Sequence, residues 1–321
     1  MPVAVTGIHH ITAMAGSPQE NIDFYVRTLG VRLVKRTVNF DDPFTYHFYF
    51  GNESGEPGTI LTFFPWGESS LRGRIGTGQV SVSAFSIPAG SMNYWIERLA
   101  TFDVPFDGPD TRFDETVVSI RDPAGVALDL VETAVDPRPG WSNGEIPREH
   151  AIRGFHHATL SLEGFERTAE MLTGPLGFTK QREHGNRFRF AAGAGAPGTI
   201  IDLLCEPGRA HGTMGVGVVH HIAFRAATDH EQLALRDRLR EANADVTPVI
   251  DRQYFHSIYF REPGGVLFEI ATDPPGFLTD ETPAELGTHL KLPSWLEPQR
   301  ARIEARVAPI KLPASNNPGA K

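Results

Sequence analysis

The sequence predicts an α+β protein built from four βαβββ modules that curl into two concave mixed β-sheet cups. Three observations carry that prediction. A His-His pair between apolar neighbours occurs three times, in "GIHHIT", "GFHHAT" and "VVHHIAF", each at the start of an extended stretch. Four strand endings share one form, a turn containing glycine followed by an apolar run: "EPGTILTF", "RDPAGVALDL", "APGTIIDLL" and "REPGGVLFEI". Between each beginning and its ending stands one helical pattern, so the chain reads as an internal repeat.

The first module opens at Thr6–Ala13. Its helix, "SPQENIDFYVRTLGV", has Ser17 as N-cap, Pro18 at the first helical position, Glu20 three residues after the cap and Gly30 as the stop. Short strands such as "FTYHFYF" follow. The second module opens at Gln79–Ser86 and carries the helix "GSMNYWIERLATFDV". The third opens at Gly154–Ser161, with "GFERTAEMLTGPLGF" as its helix. The fourth opens at Val216–Arg225. In its helix, "DHEQLALRDRLREANADV", Leu233, Leu235 and Leu239 form the apolar stripe and Asp229 is the cap. Residues 1–135 then form an N-terminal pair of modules and 154–280 a C-terminal pair. Residues 136–153, rich in proline and charge, form a linker. Residues 281–321 are an extension, with a short amphipathic helix in "LEPQRARIEARV" and a disordered end.

Composition narrows the function classes. Thirty Lys and Arg stand against 39 Asp and Glu, a net charge of −9, with no basic patch or arm. That argues against nucleic acid and anionic membranes as partners. The single cysteine, Cys205, rules out an internal disulfide and has no clear base beside it. No apolar run is long enough to span a bilayer and no secretory leader is visible, so a cytoplasmic protein is expected. The clusters "GAGAPG" and "GVG" lack the phosphate-binding pattern, and no nucleophile elbow is present. The sequence is compatible with a homodimer or higher homo-oligomer.

Two repeat positions carry chemistry. At the second histidine of the opening strand the four modules hold His10, Val82, His157 and His221. At the fifth position counted from the glycine of the closing turn they hold Thr62, Asp129, Asp202 and Glu269. A carboxylate inside "VLFEIA" costs several kcal/mol to bury alone, so Glu269 needs a cationic partner. If modules 1 and 4 face each other, they offer His10, His221 and Glu269 with one position left without a ligand. That is the two-histidine, one-carboxylate set of non-haem Fe(II) oxygenases. If modules 3 and 4 face each other, they offer the four ligands His157, Asp202, His221 and Glu269, which suits a Lewis-acid isomerase. The residues alone leave both pairings open.

The combination of "GIHHIT", "VHHIAF" and "GGVLFEIATD" resembles the vicinal oxygen chelate superfamily, which includes glyoxalase I and the extradiol dioxygenases. Within it, the chain is similar to ring-cleaving dioxygenases that act on para-hydroquinones. The resemblance runs from about residue 5 to 312. It implies Fe(II), with Mn(II), Ni(II) or Zn(II) as alternatives, held by His10, His221 and Glu269. It implies O2 and a small aromatic diol as substrates, the diol bound as a phenolate. It also places the polar pocket groups on His9, Thr12, His220, Arg252 and Tyr259. Of these, Tyr259 is the candidate hydrogen-bond or proton donor and Arg252 the group facing negative charge.

Strand alternation puts His9 and His220 on the face opposite the ligands, so pocket contact requires twist or a bulge. His256 is a lower-ranked acid or base, and Phe44, Phe48, Trp66 and Phe255 are candidate aromatic walls. His157, facing Asp129 and Asp202 without a second histidine, fits this picture least. The competing expectations are a glyoxalase-like isomerase or thiol transferase, and a metal-free small-molecule binding protein on the same fold.

Overall fold

The structure, a computed structural model, describes residues 3–142 and 145–313. The expected disordered end at 314–321 lies outside the described residues. Module 1 consists of β1 (Ile8–Ala15), α1 (Pro18–Ile22), β2 (Arg32–Asn39), β3 (Asp42–Gly51) and β4 (Ile60–Pro65). Module 2 has β5 (Gln79–Pro88), α2 (Met92–Thr101), β6 (Phe106–Arg112), β7 (Glu115–Arg121) and β8 (Ala127–Thr133). Module 3 has β9 (Gly154–Leu162), α3 (Glu166–Thr173), β10 (Thr179–His184), β11 (Arg187–Ala191) and β12 (Ile200–Cys205). Module 4 has β13 (Val219–Ala226), α4 (Asp229–Glu241), β14 (Ile250–Asp251), β15 (Phe255–Arg261) and β16 (Leu267–Pro275).

The modules pair outermost with outermost. One curled eight-stranded sheet runs β14-β15-β16-β13-β1-β4-β3-β2, joining module 4 to module 1 through antiparallel β13 and β1. The other runs β10-β11-β12-β9-β5-β8-β7-β6 and joins module 3 to module 2. This excludes the pairing of modules 3 and 4 around one centre: His157 and Asp202 stand on one sheet, His221 and Glu269 on the other.

Period-2 patterning decides which face is which. On β1, Ile11, Ala13 and Ala15 enter a continuous apolar core, which also takes Trp95 and Leu99 of α2, Leu172 of α3 and Leu235 and Leu239 of α4. The helix ends follow the sequence in part. Ser17 caps α1 as predicted, accepting from the Glu20 N–H, and Gly30 stops the segment at φ +68°. Beyond Ile22 the helix widens into a π-helix over Asp23–Thr28. On α4 the cap is Thr228, not Asp229, because the Thr228 hydroxyl accepts from the Glu231 N–H. Leu233 is exposed. The third inward position belongs to Gln232, whose amide donates to the His256 and Ile270 carbonyls.

Several hydrogen bonds tie the two sheets, among them the backbone pairs Ile8 N–H to the Gly198 carbonyl and Phe155 N–H to the Gly58 carbonyl, both at 2.8 Å. The Tyr25 hydroxyl donates to Asp122 at 3.1 Å, joining the helical segment of module 1 to the closing turn of module 2. Thr168 of α3 donates to Glu262 of module 4 at 2.6 Å in the same way. Arg138, held by Asp136, donates to the carbonyls of Gly58 and Phe155, one on each sheet. Residues 281–313 return over module 1. There Leu292, Leu296 and Ile303 bury Val38 with Phe40 and Phe44 of the β2–β3 hairpin, and a short helix, α5 (Arg300–Glu304), forms within the segment expected to be amphipathic.

Candidate metal centre

The opposite face of β1 carries His10, Thr12 and Met14, and these side chains line a cavity of about 170 Å³. Antiparallel register brings β13 alongside, with Thr12 opposite His221 and His10 opposite Ala223. Parallel register places Glu269 of β16 beside Ala223 and Thr62 of β4 beside Thr12. Three atoms therefore converge. His10 Nε2 lies 3.2 Å from His221 Nε2. Glu269 Oε2 lies 3.3 Å from His10 Nε2 and 2.9 Å from His221 Nε2. All three residues are buried.

Glu269 Oε2 is close to both imidazoles, yet it has no hydrogen bond of acceptable geometry. Its companion oxygen, Oε1, accepts from Ser257 at 2.5 Å. Three lone-pair-bearing atoms aimed at one point, one of them a buried orphan, fit a metal ion: each site demands a cation rather than another acceptor. Burial opposes ionisation of Glu269. The His10 and His221 imidazoles outweigh it and hold the carboxyl well below the usual carboxylate range, so the group is an anion. Burial also pushes His221 below the ordinary histidine value, which favours the neutral ligand form.

The first histidine of each pair was expected on the far face, and the structure corrects that. Between Ile8↔Phe224 and His10↔Ala223 the register slips by one residue, leaving His9 as the extra residue of a β-bulge. His220 is extra between Thr12↔His221 and Ala13↔Val219. A bulge turns the extra side chain toward its neighbour's face. Hence His9 Nδ1 lies 2.9 Å from His10 Nδ1, and His220 Nδ1 lies 2.7 Å from His221 Nδ1. A ligand histidine whose Nε2 faces a metal keeps its proton on Nδ1 and donates it to this neighbour, which fixes tautomer and ring orientation. Burial lowers both neighbours, His9 well below the ordinary value and His220 to about 3, so both stay neutral acceptors.

Arg252 and Tyr259 also reach the cavity. Arg252 Nε donates to the Tyr259 hydroxyl at 3.2 Å, and its Nη1 donates to Asp41 at 2.9 Å. The Tyr259 ring meets His221 edge-on at 5.8 Å. Burial raises the Tyr259 phenol, Glu269 adds to that, and Arg252 offsets only part of it. His9 lies behind the cavity, against Phe255, while Thr12 and His220 line it. Trp66 and Phe255 are among its walls as predicted, joined by Phe40 and Phe64. Phe48 is in the core instead, and Phe44 packs beneath Arg302 and Arg306 of the extension. His256 points away to Asp229, at 2.6 Å.

Sequence reasoning missed His47. Its Nε2 is 2.9 Å from Thr62 Oγ1 and its Nδ1 is 2.9 Å from the Tyr49 hydroxyl. Thr62 Oγ1 in turn lies 2.8 Å from Thr12 Oγ1. The position that could hold a fourth ligand thus carries a hydroxyl already engaged on both sides.

The second sheet repeats the geometry with different chemistry. His156 is the extra bulge residue and sits 2.9 Å from His157, Nδ1 to Nδ1. Val82 stands where the second histidine would be, opposite Thr159. Asp129 accepts from Arg112 and Ser119, and Asp202 is gripped by Arg189 through Nε at 2.7 Å and by Arg187 at 3.2 Å. Guanidinium groups occupy the place of a cation there, and His157 Nε2 is left without a hydrogen bond, 3.6 Å from Asp202. A larger hollow of about 860 Å³ near Arg27, Phe102, Phe106 and Arg112 has no converging ligand set among the described residues. Among the described residues, no helix is long and apolar enough to cross a membrane.

Comparison with known proteins gives a consistent picture. The family model described as Glyoxalase/Bleomycin resistance protein/Dioxygenase superfamily matches residues 7–130 and 154–270. A protein of Bacillus subtilis (strain 168) named "Putative ring-cleaving dioxygenase MhqO" is 49% identical over 307 residues, covering 95% of this chain and 97% of that protein. The chlorohydroquinone/hydroquinone 1,2-dioxygenase of Sphingobium indicum is 37% identical, covering 92% of this chain and 94% of its own. A crystal structure titled as a putative dioxygenase from Bacillus subtilis superposes with a TM-score of 0.93 at 48% identity, covering 97% and 99% of the two chains. Glyoxalase I from Zea mays, at 14% identity and a TM-score of 0.62, covering 83% of this chain and 92% of its own, shares the fold.

Proposed function

The chain belongs to the glyoxalase/bleomycin resistance/dioxygenase superfamily, and on that premise we propose that it is an Fe(II)-dependent ring-cleaving dioxygenase acting on a hydroquinone or catechol-like aromatic diol. One observation carries the reading. Two imidazoles and one carboxylate converge, while the fourth position of the quartet is Thr62, a hydroxyl already held by Thr12 and His47. A three-ligand site keeps positions open for a diol and O2, whereas a glyoxalase-like isomerase was expected to use four protein ligands.

His10, His221 and Glu269 would hold the metal, which would supply a meeting point for ring and O2 and a route for electron density between them. The remaining chemistry belongs to the chain. A cavity of about 170 Å³ suits one ring, since about 150 Å³ accommodates benzene. Phe40, Phe64, Trp66 and Phe255 line it and would offer aromatic surface to a bound ring. Arg252 donates into the Tyr259 oxygen, so the Tyr259 proton is free to point into the cavity. Because its phenol is raised, Tyr259 remains a donor through the neutral range. Arg252 offsets the negative charge of an ionised diol.

The test is O2 consumption by anaerobically Fe(II)-loaded protein with hydroquinones, catechols and a methylglyoxal–thiol adduct. Uptake with the aromatic diols alone is expected. Thioester formation from the adduct without uptake would establish isomerase chemistry instead.

A further inference from the structure

We infer that Tyr49, His47, Thr62 and Thr12 form a one-way hydrogen-bond chain that fixes the Thr12 hydroxyl as a donor into the cavity, where it selects a ligand bearing an anionic oxygen. The inference rests on the reading that this cavity holds an aromatic oxygen ligand.

The chain has three links, at 2.9, 2.9 and 2.8 Å, between four groups that each carry one proton when His47 is neutral. Burial pushes His47 well below the ordinary histidine value, so it is neutral. Burial likewise raises the Tyr49 phenol, which keeps its proton. Three links use three protons, and one end of the chain has a proton to spare. Donor and acceptor strengths decide which end. A phenol is the most acidic donor present and an unprotonated imidazole nitrogen the best acceptor. Tyr49 therefore donates to His47 Nδ1. The imidazole tautomer is then set, and Nε2–H donates to Thr62. Thr62 has one proton and one neighbour left, and donates to Thr12. The Thr12 proton has no further partner among the described residues, and Thr12 lines the cavity.

The opposite sense would make imidazole N–H donate to a weakly basic phenol oxygen and leave the more acidic phenol proton without an acceptor in the chain. Ring contacts hold the chain rigid: His47 packs on Tyr49 at 4.1 Å and on Phe64 at 4.2 Å. Tyr49, His47 and Thr62 are thus positioning residues. Thr12 is the end of the chain whose hydroxyl proton is left over for a ligand in the cavity.

The experiment uses 4-nitrocatechol, whose visible absorbance distinguishes its ionised forms, bound anaerobically to the Fe(II)-loaded protein. Thr12→Val is expected to weaken binding of the anion about tenfold or more, the scale of one hydrogen bond to a charged group, and to raise the pH at which the bound ligand ionises. Thr12→Ser restores both. Tyr49→Phe frees the His47 tautomer and shifts the same midpoint in the same direction by less. The double variant Thr12→Val/Tyr49→Phe is no worse than Thr12→Val, because the residues act in series. An unchanged midpoint in Tyr49→Phe, or losses that add in the double variant, overturns the proposal. A merely structural role predicts altered melting temperature with no shift in the midpoint. Should Thr12→Val fail to fold, Tyr49→Phe and Thr62→Val give the same reading. Binding of the probe is measured without turnover, so an absence of O2 uptake would count against the dioxygenase reading and not against the chain.

Discussion

The two nitrogens of His10 have separate duties: Nε2 faces the converging ligand set and Nδ1 faces His9. The first duty predicts that His10→Ala abolishes stoichiometric metal binding while His157→Ala leaves it intact, measured by metal analysis after Fe(II) loading and desalting. The second predicts that His9→Ala or His220→Ala weakens metal affinity about 10- to 100-fold without unfolding the protein, measured by competition with a chelator of known affinity. His10, His221 and Glu269 were legible as candidates because they stand at fixed places in a repeat, while their grouping came from the family resemblance and not from the repeat. Ser257 and His47 were not. Each acts across neighbouring strands, on Glu269 and Thr62 respectively, and the repeat says nothing of which side chains meet across them. The bulge at His9 was hidden for a related reason: a slip in pairing leaves the sequence pattern unchanged.

At the scale of elements, buried charge records how the modules are fastened. Asp122 receives the Val126 N–H and the Tyr25 hydroxyl, yet burial still raises its carboxyl to about 6. The folded state therefore binds this proton more tightly than the unfolded chain. Its contribution to stability grows as pH falls through about 6 and is complete below about 4, amounting to roughly 2–3 kcal/mol. Wild-type protein should gain about 2 kcal/mol of this relative to Asp122→Asn between pH 7.5 and pH 4.5, measured by urea unfolding at each pH.

Lys35 on β2 is fully buried and donates to Asp280, Glu281 and the Phe277 carbonyl, pinning the start of the C-terminal extension. Lys35→Met strands two carboxylates and should cost about 3–5 kcal/mol, with partial recovery in Lys35→Met/Glu281→Gln. Helix positions were readable from the 3.6-residue period. The α4 cap and its inward Gln232 were not, because both are decided by a tertiary contact or a neighbouring hydroxyl rather than by hydrophobicity.

Across the whole molecule, two sheets of the same design have diverged in what neutralises their central carboxylates. In one, Glu269 faces two imidazoles; in the other, Asp129 and Asp202 are matched by Arg112, Arg187 and Arg189. Only the first should respond to metal. Fe(II) ought to raise the melting temperature of the wild type, and a chelator to reverse it, with His10→Ala indifferent to both; the stabilisation follows the ratio of free metal to its dissociation constant. The four-module architecture was legible from the repeat itself. The partnering of the modules was not, since the strand endings are alike in all four and nothing local marks which edges join.

That partnering also orders events as the polypeptide leaves the ribosome. Residues 79–205 contain all the strands of the inner sheet and can close upon themselves. The first module must wait with the outer β1 edge unpaired until β13 emerges. Because Glu269 lies more than 250 positions after His10, the candidate ligand set cannot assemble until β16 has been synthesised, and a product truncated before β16 lacks its carboxylate.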